Sequence, residues 1–301
     1  MTNETTQLQI HERAALDPAE LADVRQLAER GQASGVEPRL VWRALTDASR
    51  PTISHFLCRR AGALVGFLTV EGLDGDDAEG TVLADPAEAP GPIVAALLAA
   101  AQQVSDQHGG GPIMLALDRR AEPLTAALRE HGLALHMTEC LMLRAHMPAP
   151  TLPASDLQVA PATQAEALAV AAILAEDLGM QAAELHAPIS MNMQRPHYRY
   201  WIATLGDEPV GTINVQTLND LPYIYGFVVR PEFRGRGFGR QLLSFVLAEL
   251  LRDGPQPIYL EVDPENPPAL TLYESLGFTI VVTFDYYREP GSLPSLIDPT
   301  P

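Results

Sequence analysis

Hydrophobic and polar positions in the C-terminal half of the chain follow strand and helix periods in a regular succession. Apolar residues alternate through YRYWIATL and PVGTINVQTL, which predicts a hairpin that turns at Gly206-Asp207-Glu208. Three further strands are predicted after the hairpin, in YIYGFVV, PIYLEV and TIVVTFDYY. Helical spacing predicts two helices between these strands, in GRQLLSFVLAELLRDG and PALTLYESLGF. The succession predicts a mixed sheet covered by helices, which is an α/β architecture.

The N-terminal half repeats the same plan. Three separate places align at one constant offset of 145 residues, namely Gly66 with Gly211, Asp118 with Asp263, and Gly132 with Gly277. A Pro-rich segment without periodicity, residues 147–156, separates the two halves. We therefore predict two tandem domains of one fold, at 1–148 and 149–301.

Composition and charge limit the classes of function. Hydrophobic residues make up 47% of the chain and charged residues 19%, as in a soluble globular protein. The net charge of −18 argues against nucleic acid or an anionic membrane as a partner. Cys58 and Cys140 do not have the pattern of a disulfide framework or a metal site, and no secretory signal is visible at the start. We expect a cytoplasmic protein without a metal, and a monomer because two copies lie in one chain.

One loop stands out against this acidic background. Between a predicted strand and a predicted helix, three glycines alternate with three arginines: Gly235, Gly237 and Gly239 with Arg234, Arg236 and Arg240. Glycines let successive backbone amides turn toward one anion, and the unpaired amides at a helix start, with the helix dipole, favour negative charge. Arginines add charge-assisted hydrogen bonds. The loop therefore predicts a phosphate-binding site.

Two common phosphate-binding designs do not fit this loop. The P-loop requires a lysine, and the chain contains none. The dinucleotide-binding fingerprint requires a glycine at the sixth position, where this sequence has Arg240.

A third design fits. Arg234-Gly-Arg-Gly237-Phe238-Gly239 resembles R/Q-x-x-G-x-G/A, the pyrophosphate motif of the GCN5-related N-acetyltransferase (GNAT) family. The family pattern N-x-x-A-x-x-L-Y-x-x-x-G-F is matched further on by Asn266, Ala269, Leu272, Tyr273, Gly277 and Phe278. The resemblance covers the C-terminal copy fully and the N-terminal copy in outline, as in tandem acetyltransferases of the mycothiol synthase type. It implies two tandem acyl-CoA N-acyltransferase (GNAT) domains, each a mixed, mostly antiparallel sheet flanked by helices.

The resemblance also implies a reaction and its residues. Acetyl-CoA would be the co-substrate, and an amine of a small molecule or peptide would attack its thioester directly. The backbone of Phe227 and Val229 would pair with the pantetheine arm, and the amide near Val228 would stabilise the carbonyl oxygen. The loop from Arg234 to Arg240, including Phe238, would hold the pyrophosphate. Asn266, Ala269, Leu272 and Tyr273 would contact the cofactor from the following helix, and the Tyr273 hydroxyl would protonate the departing thiolate.

The general base and the acceptor stay open at this point. Tyr225 with Tyr223 on the fourth strand, and Glu261 on the fifth, are the candidates for the base. The segment 182–201 is where the family builds acceptor specificity. Other functions on the same fold are a CoA-binding sensor or scaffold without turnover, and an acyltransferase that uses another acyl-CoA or an oxygen acceptor.

The N-terminal copy is predicted to be degenerate. At the offset of 145, Gly235 aligns with Pro90, Gly237 with Pro92, and Tyr273 with Leu128. Because proline has no N–H to offer a phosphate, this copy is predicted not to bind the cofactor in the usual cleft. We predict that 1–148 is a degenerate domain without a cofactor loop and that 149–301 is the catalytic domain.

Overall fold

The computed structural model describes residues 7–48, 52–73, 78–152 and 156–291. The chain forms two compact units. The N-terminal unit contains the described residues up to Glu139 together with those from Val282 onward, and the C-terminal unit contains Cys140–Val281. The boundaries of these units differ from the single boundary predicted between residues 148 and 149. They fall within the last strand of each copy, between 139 and 140 and between 281 and 282.

The N-terminal unit is a mixed sheet with helices between its strands. Its own strands are β1 (Leu8–Arg13), β2 (Ile53–Arg60), β3 (Ala63–Glu71), β4 (Ala78–Ala84) and β5 (Ile113–Asp118). Its helices are α1 (Pro18–Ala33), α2 (Pro90–His108) and α3 (Glu122–Glu130). The sheet order is β1-β2-β3-β4-β5-β12, where β12 is Thr279–Arg288. The β4–β5 pair is parallel, and the other neighbouring pairs are antiparallel.

The C-terminal unit repeats this arrangement. Its strands are β7 (Leu157–Pro161), β8 (Tyr198–Leu205), β9 (Glu208–Leu218), β10 (Leu221–Val229) and β11 (Ile258–Val262). Its helices are α4 (Ala167–Leu178), α5 (Ala182–Asn192), α6 (Phe238–Leu250) and α7 (Pro267–Ser275). The sheet order is β6-β11-β10-β9-β8-β7, where β6 is Ala134–Arg144. Here β10–β11 is the parallel pair, so the predicted mixed, mostly antiparallel sheet flanked by helices is confirmed.

Each unit completes its sheet with a strand from the other copy. Phe284–Tyr287 of β12 pair with Leu115–Asp118 of β5 in the N-terminal unit. Cys140–Arg144 of β6 pair with Ile258–Val262 of β11 in the C-terminal unit. The hydrophobic pattern predicts that both segments are strands, but it carries no information on the partner that a strand takes.

Two apolar clusters cover opposite faces of the C-terminal sheet. On one face Leu242 and Val246 of α6 pack with Ile224 and Leu260. On the other face Val170 and Leu174 of α4 pack with residues of β8 and β10, namely Tyr200, Ile202 and Val228. The start of α6 thus lies on one face, and the α4–α5 pair covers the other.

Two further features are absent from the described residues. Among them, no helix is both long enough and apolar enough to cross a membrane. In the same ranges, no cluster of three or more histidine, cysteine, aspartate or glutamate side chains could hold a metal ion.

Candidate active site

The loop before α6 presents backbone amides without helical partners. Gly235 has φ 74° and Gly237 has φ 83°, both in the left-handed region that favours glycine. Gly237 is the N-cap of α6, makes no side-chain cap, and accepts from the Gln241 amide at 3.2 Å through its carbonyl. The amides of the first turn precede this first helical bond, so they are left for an external acceptor. The geometry fits an anion at the start of α6.

The three predicted arginines surround this helix start. The Arg234 Nε donates to the Val229 carbonyl at 2.8 Å, and its Nη2 donates to Asp177 Oδ1 at 2.5 Å. The Arg236 guanidinium lies 4.8 Å from the centre of the Phe238 ring. The Arg240 Nη2 donates to the Ser275 hydroxyl at 2.5 Å. All three side chains are solvent-accessible cations around one set of free amides, which suits a pyrophosphate.

The end of β10 opens away from β11. Over the described residues the parallel ladder joins only Tyr223 with Tyr259 and Ile224 with Leu260. A β-bulge follows directly, because the pairing of β10 with β9 shifts between Tyr225 and Val228, with Gly226 at φ 52°. The bulge bends β10 and leaves a gap between the two parallel strands beyond Ile224.

The register decides which backbone groups face this gap. The Arg230 amide donates to the Val210 carbonyl of β9 at 2.9 Å. Since backbone groups alternate in direction along a strand, those of Val228 also face β9, while those of Phe227 and Val229 face the gap. The register therefore supports Phe227 and Val229 as pairing groups, and it turns the Val228 amide, predicted to contact the thioester, away from the gap.

Helix α7 carries the second part of the predicted motif. The Asn266 side chain accepts from the Ala269 amide at 3.2 Å and caps the helix, as its position before Pro267 indicates. Leu272 packs beside the loop, since a Cβ on Gly239 would stand 3.5 Å from Leu272 Cδ2. The same Cβ would stand 3.6 Å from Phe227. Helix α7 is thus held against the start of α6 and the end of β10.

Tyr273 lies in this corner. Its ring centre is 6.2 Å from that of Phe227 and 6.1 Å from that of Phe278. Burial raises the pKa of the Tyr273 hydroxyl to about 12, so the phenol stays protonated at neutral pH. A protonated phenol next to the gap has the ionisation state that a proton donor requires.

Tyr225 lies on the other face of the sheet. Its hydroxyl donates to the Tyr200 hydroxyl at 2.9 Å, and the two rings meet edge to face at 6.3 Å. Burial, followed by the bond to Tyr200, raises the pKa of Tyr225. A general base must be deprotonated, so this environment does not favour Tyr225 in the role that the sequence suggested for it.

Glu261 is the other candidate base. It is half-buried on β11, one residue beyond the last pair of the β10–β11 ladder. The preceding residue, Leu260, packs against α6. Because successive side chains of a strand point to opposite faces of the sheet, Glu261 points away from α6, as Tyr225 does. The two candidates therefore flank the opening of the gap from neighbouring strands.

Within its described residues, the N-terminal unit lacks the features that make this site. Helix α2 begins at Pro90, which aligns with Gly235, so helix replaces the glycine loop. Strand β4 pairs with β3 without a shift, and its ladder with β5 covers Ala78–Thr81. A cavity of about 200 Å³ lies beside Pro86, Pro90 and Ala121.

Sequence reasoning missed three features of this region. Helix α5 lies in the segment 182–201, for which the sequence pattern predicts no helix, and Pro188 lies inside it. The bulge at Gly226 was signalled by an isolated glycine within a strand pattern. Asn214 of β9, which is completely buried beside Gly226, gave no sequence signal at all.

Comparisons with known proteins bear on this site. The profile of the family described as "Acetyltransferase (GNAT) family" matches residues 169–278, which lie within the C-terminal unit. The N-alpha-acetyltransferase RimI of Mycobacterium tuberculosis is 35% identical over 111 residues, which cover 35% of this chain and 68% of that protein. The [ribosomal protein bS18]-alanine N-acetyltransferase of Salmonella typhimurium is 35% identical over 85 residues, covering 28% of this chain and 57% of the relative.

Solved structures resemble the whole chain. The GCN5-related N-acetyltransferase from Sphaerobacter thermophilus superposes with a TM-score of 0.74 at 17% identity, over 93% of this chain and 95% of that one. A tandem GNAT protein from the clavulanic acid biosynthesis pathway gives a TM-score of 0.68 at 17% identity, over 96% and 100% of the two chains. At these identities the likeness concerns the fold alone.

Proposed function

The chain belongs to the GNAT acetyltransferase family and is an N-acetyltransferase, and from this premise we propose that its C-terminal unit acetylates the free amine of a peptide or protein. The observation that carries the proposal is the uncapped start of α6 next to the gap between β10 and β11. Acetyl-CoA supplies an acyl group that a neutral amine attacks directly. The residues around the gap fit that co-substrate, because they offer amides and cations to a pyrophosphate and strand edges to a pantetheine arm.

Each part of the site has a role in this proposal. The α6 amides with Arg234, Arg236 and Arg240 bind the pyrophosphate, and the backbone groups of Phe227 and Val229 bind the pantetheine amides. Tyr273 donates a proton to the leaving thiolate, since its raised pKa keeps it protonated.

Glu261 is proposed as the base that removes a proton from the attacking amine, directly or through water. A carboxylate is ionised at neutral pH, whereas the Tyr225 phenol is not. Holding two substrates in one geometry supplies much of the rate, so a weak base suffices.

The class of acceptor is inferred from the relatives. By their names, one of the bacterial relatives above is an N-alpha-acetyltransferase and the other acetylates an alanine of a ribosomal protein. The segment that matches the family, residues 169–278, contains α5, β8 and the gap. We therefore propose a peptide or protein amine, with a small-molecule amine as the alternative within the same activity.

Thiol release from acetyl-CoA tests this function. Free-amine peptides should support turnover, and the same peptides with a blocked N-terminus should not. Polyamines, amino sugars and amino acids belong in the same panel, because turnover with them alone would move the acceptor to small molecules. Tight acetyl-CoA binding without turnover on any amine would favour a CoA-binding sensor, and preference for propionyl- or malonyl-CoA would change the donor.

A further inference from the structure

A buried amide lies unpaired beside the β10 bulge. Asn214 of β9 is completely buried, and its Nδ2 has no hydrogen-bond partner among the described residues. Its Oδ1 lies 3.2 Å from the Thr212 hydroxyl. A buried donor without an acceptor costs roughly 1–3 kcal/mol relative to one that is paired. The fold therefore bears a cost at this position that an apolar side chain would not impose.

The surrounding bonds do not require this asparagine. The Thr212 hydroxyl has one proton, and it lies closer to the Trp201 carbonyl, at 2.9 Å, than to Asn214 Oδ1. Thr212 would keep an acceptor if Asn214 were replaced. The Asn214 side chain is thus not needed to give Thr212 a hydrogen-bond acceptor. Packing alone does not explain why an asparagine occupies this buried position.

The amide end of Asn214 is directed at the bulge. A Cβ built on Gly226 would stand 2.4 Å from Asn214 Nδ2, so the amide occupies the space that a side chain at position 226 would need. Asn214 pairs in register with Tyr200 of β8 and with Tyr225 of β10. The three residues form one row across the sheet, and the row ends where β10 leaves β11.

The N-terminal unit provides a comparison. The matching row is His55, Thr69 and Thr81, which are in register across β2, β3 and β4. No shift interrupts β4 there, and the Thr69 hydroxyl is paired with His55 Nδ1 at 2.9 Å. Both rows therefore hold a buried nitrogen without a partner, Asn214 Nδ2 in one and His55 Nε2 in the other. At these two rows the strand is bulged only beside Asn214, in the unit with the open gap.

We propose that Asn214 Nδ2 donates a hydrogen bond to the carbonyl oxygen of the acyl group, across Gly226. This inference rests on the proposed function. The carbonyl oxygen gains negative charge as the amine adds to it, so a preorganised donor stabilises it more in the transition state than in the ground state. Gly226 is required because any side chain there would displace the amide.

The test combines stability, binding and turnover in two variants. Asn214→Val removes the unpaired donor and keeps a residue that strands favour. Asn214→Leu keeps the branched shape but presents neither a donor nor an acceptor. Both should lower kcat by about 10²-fold, the effect of losing one oxyanion donor, and Asn214→Val should melt no lower than the wild type. Thr69→Val, at the matching row position of the N-terminal unit, is the control and should retain turnover.

Calorimetry supplies a readout independent of turnover. The wild type should bind acetyl-CoA more tightly than CoA, and both Asn214 variants should lose that preference. The proposal is overturned if the wild type binds the two ligands equally, if Asn214→Leu keeps full turnover, or if Asn214→Val loses several degrees of Tm together with activity, as a structural residue would. Absence of turnover in the wild type would instead refute the proposed function.

Discussion

At the scale of single residues, the site depends on a few side chains whose ionisation or conformation is set by their immediate contacts. Tyr273 is the clearest case, because burial against Phe227 and Phe278 sets its protonation. Gly237 is the second case, because it is the N-cap of α6 and has a left-handed backbone conformation. Each supports one prediction.

Tyr273→Phe keeps the ring and removes the proton donor. We expect kcat to fall by about 10²-fold, while the Kd of acetyl-CoA changes little, since the ring contacts remain. In the wild type, the pKa of about 12 keeps the phenol protonated through the alkaline range. Turnover should therefore rise with pH as the substrate amine loses its proton, with no loss from Tyr273 below about pH 11. Steady-state kinetics between pH 6 and 10 measure both effects, and a decline centred near pH 9 in the wild type would contradict the assignment.

Gly237→Ala places a side chain at φ 83°. The strain costs about 1–2 kcal/mol and should turn the first amides of α6, so we expect at least tenfold weaker acetyl-CoA binding by calorimetry. Gly179→Ala is the matched control, since Gly179 has φ 66° and ends α4 with open space around it. Equal losses of affinity in both variants would show that general strain, and not the helix start, causes the effect.

At the scale of elements, helix ends and strand edges position the chemistry. Asn266 caps α7, the helix that carries Tyr273. In the N-terminal unit Asp17 caps α1 by accepting from the Ala19 and Glu20 amides, both at 2.8 Å. In both caps a side-chain oxygen accepts from backbone amides of the first turn. Only α7, however, carries a residue of the candidate site, Tyr273.

Removal of the two caps separates stability from function. Asn266→Ala and Asp17→Ala should each lower the free energy of unfolding by about 1 kcal/mol. Asn266→Ala should also reduce turnover several-fold, because α7 then holds Tyr273 less firmly, whereas Asp17→Ala should not. Denaturant titration and thiol-release kinetics on both variants measure this. A similar reduction of turnover by both would mean that stability alone limits the activity.

Local sequence signals were sufficient to predict the helices that carry the candidate site, because each lies within one stretch of sequence. The alternating glycines and arginines identified the start of α6, and the spacing from Asn266 to Tyr273 identified α7. The direction of the Val228 amide, the row from Tyr200 to Tyr225 and the partners of β6 and β12 depend on register between distant strands. Pattern along one strand does not determine register with another, so these features could not be predicted.

At the scale of the whole molecule, two copies of one fold have different loops at equivalent positions. The element bounds repeat at the offset of 145, as in Ile53–Arg60 against Tyr198–Leu205 and Glu122–Glu130 against Pro267–Ser275. Only the C-terminal copy has the glycine loop and the bulge in the described chain. The predicted loss of cofactor binding in the N-terminal copy thus rests on backbone geometry as well as on its prolines.

Stoichiometry tests this asymmetry. Calorimetric titration should give one tight equivalent of acetyl-CoA per chain, because the first turn of α2 contains Pro90 and Pro92, which have no N–H. Arg234→Ala should remove that equivalent and leave none. Two tight equivalents in the wild type would place a cofactor in the N-terminal unit.

The exchanged last strands have a consequence for engineering. A polypeptide cut within residues 147–156 would leave β5 without Phe284–Tyr287 in one fragment and β11 without Cys140–Arg144 in the other. Each fragment would then expose a long apolar edge that invites aggregation. We therefore expect a single-copy version of the C-terminal half to need a strand supplied in place of Cys140–Arg144 before it folds.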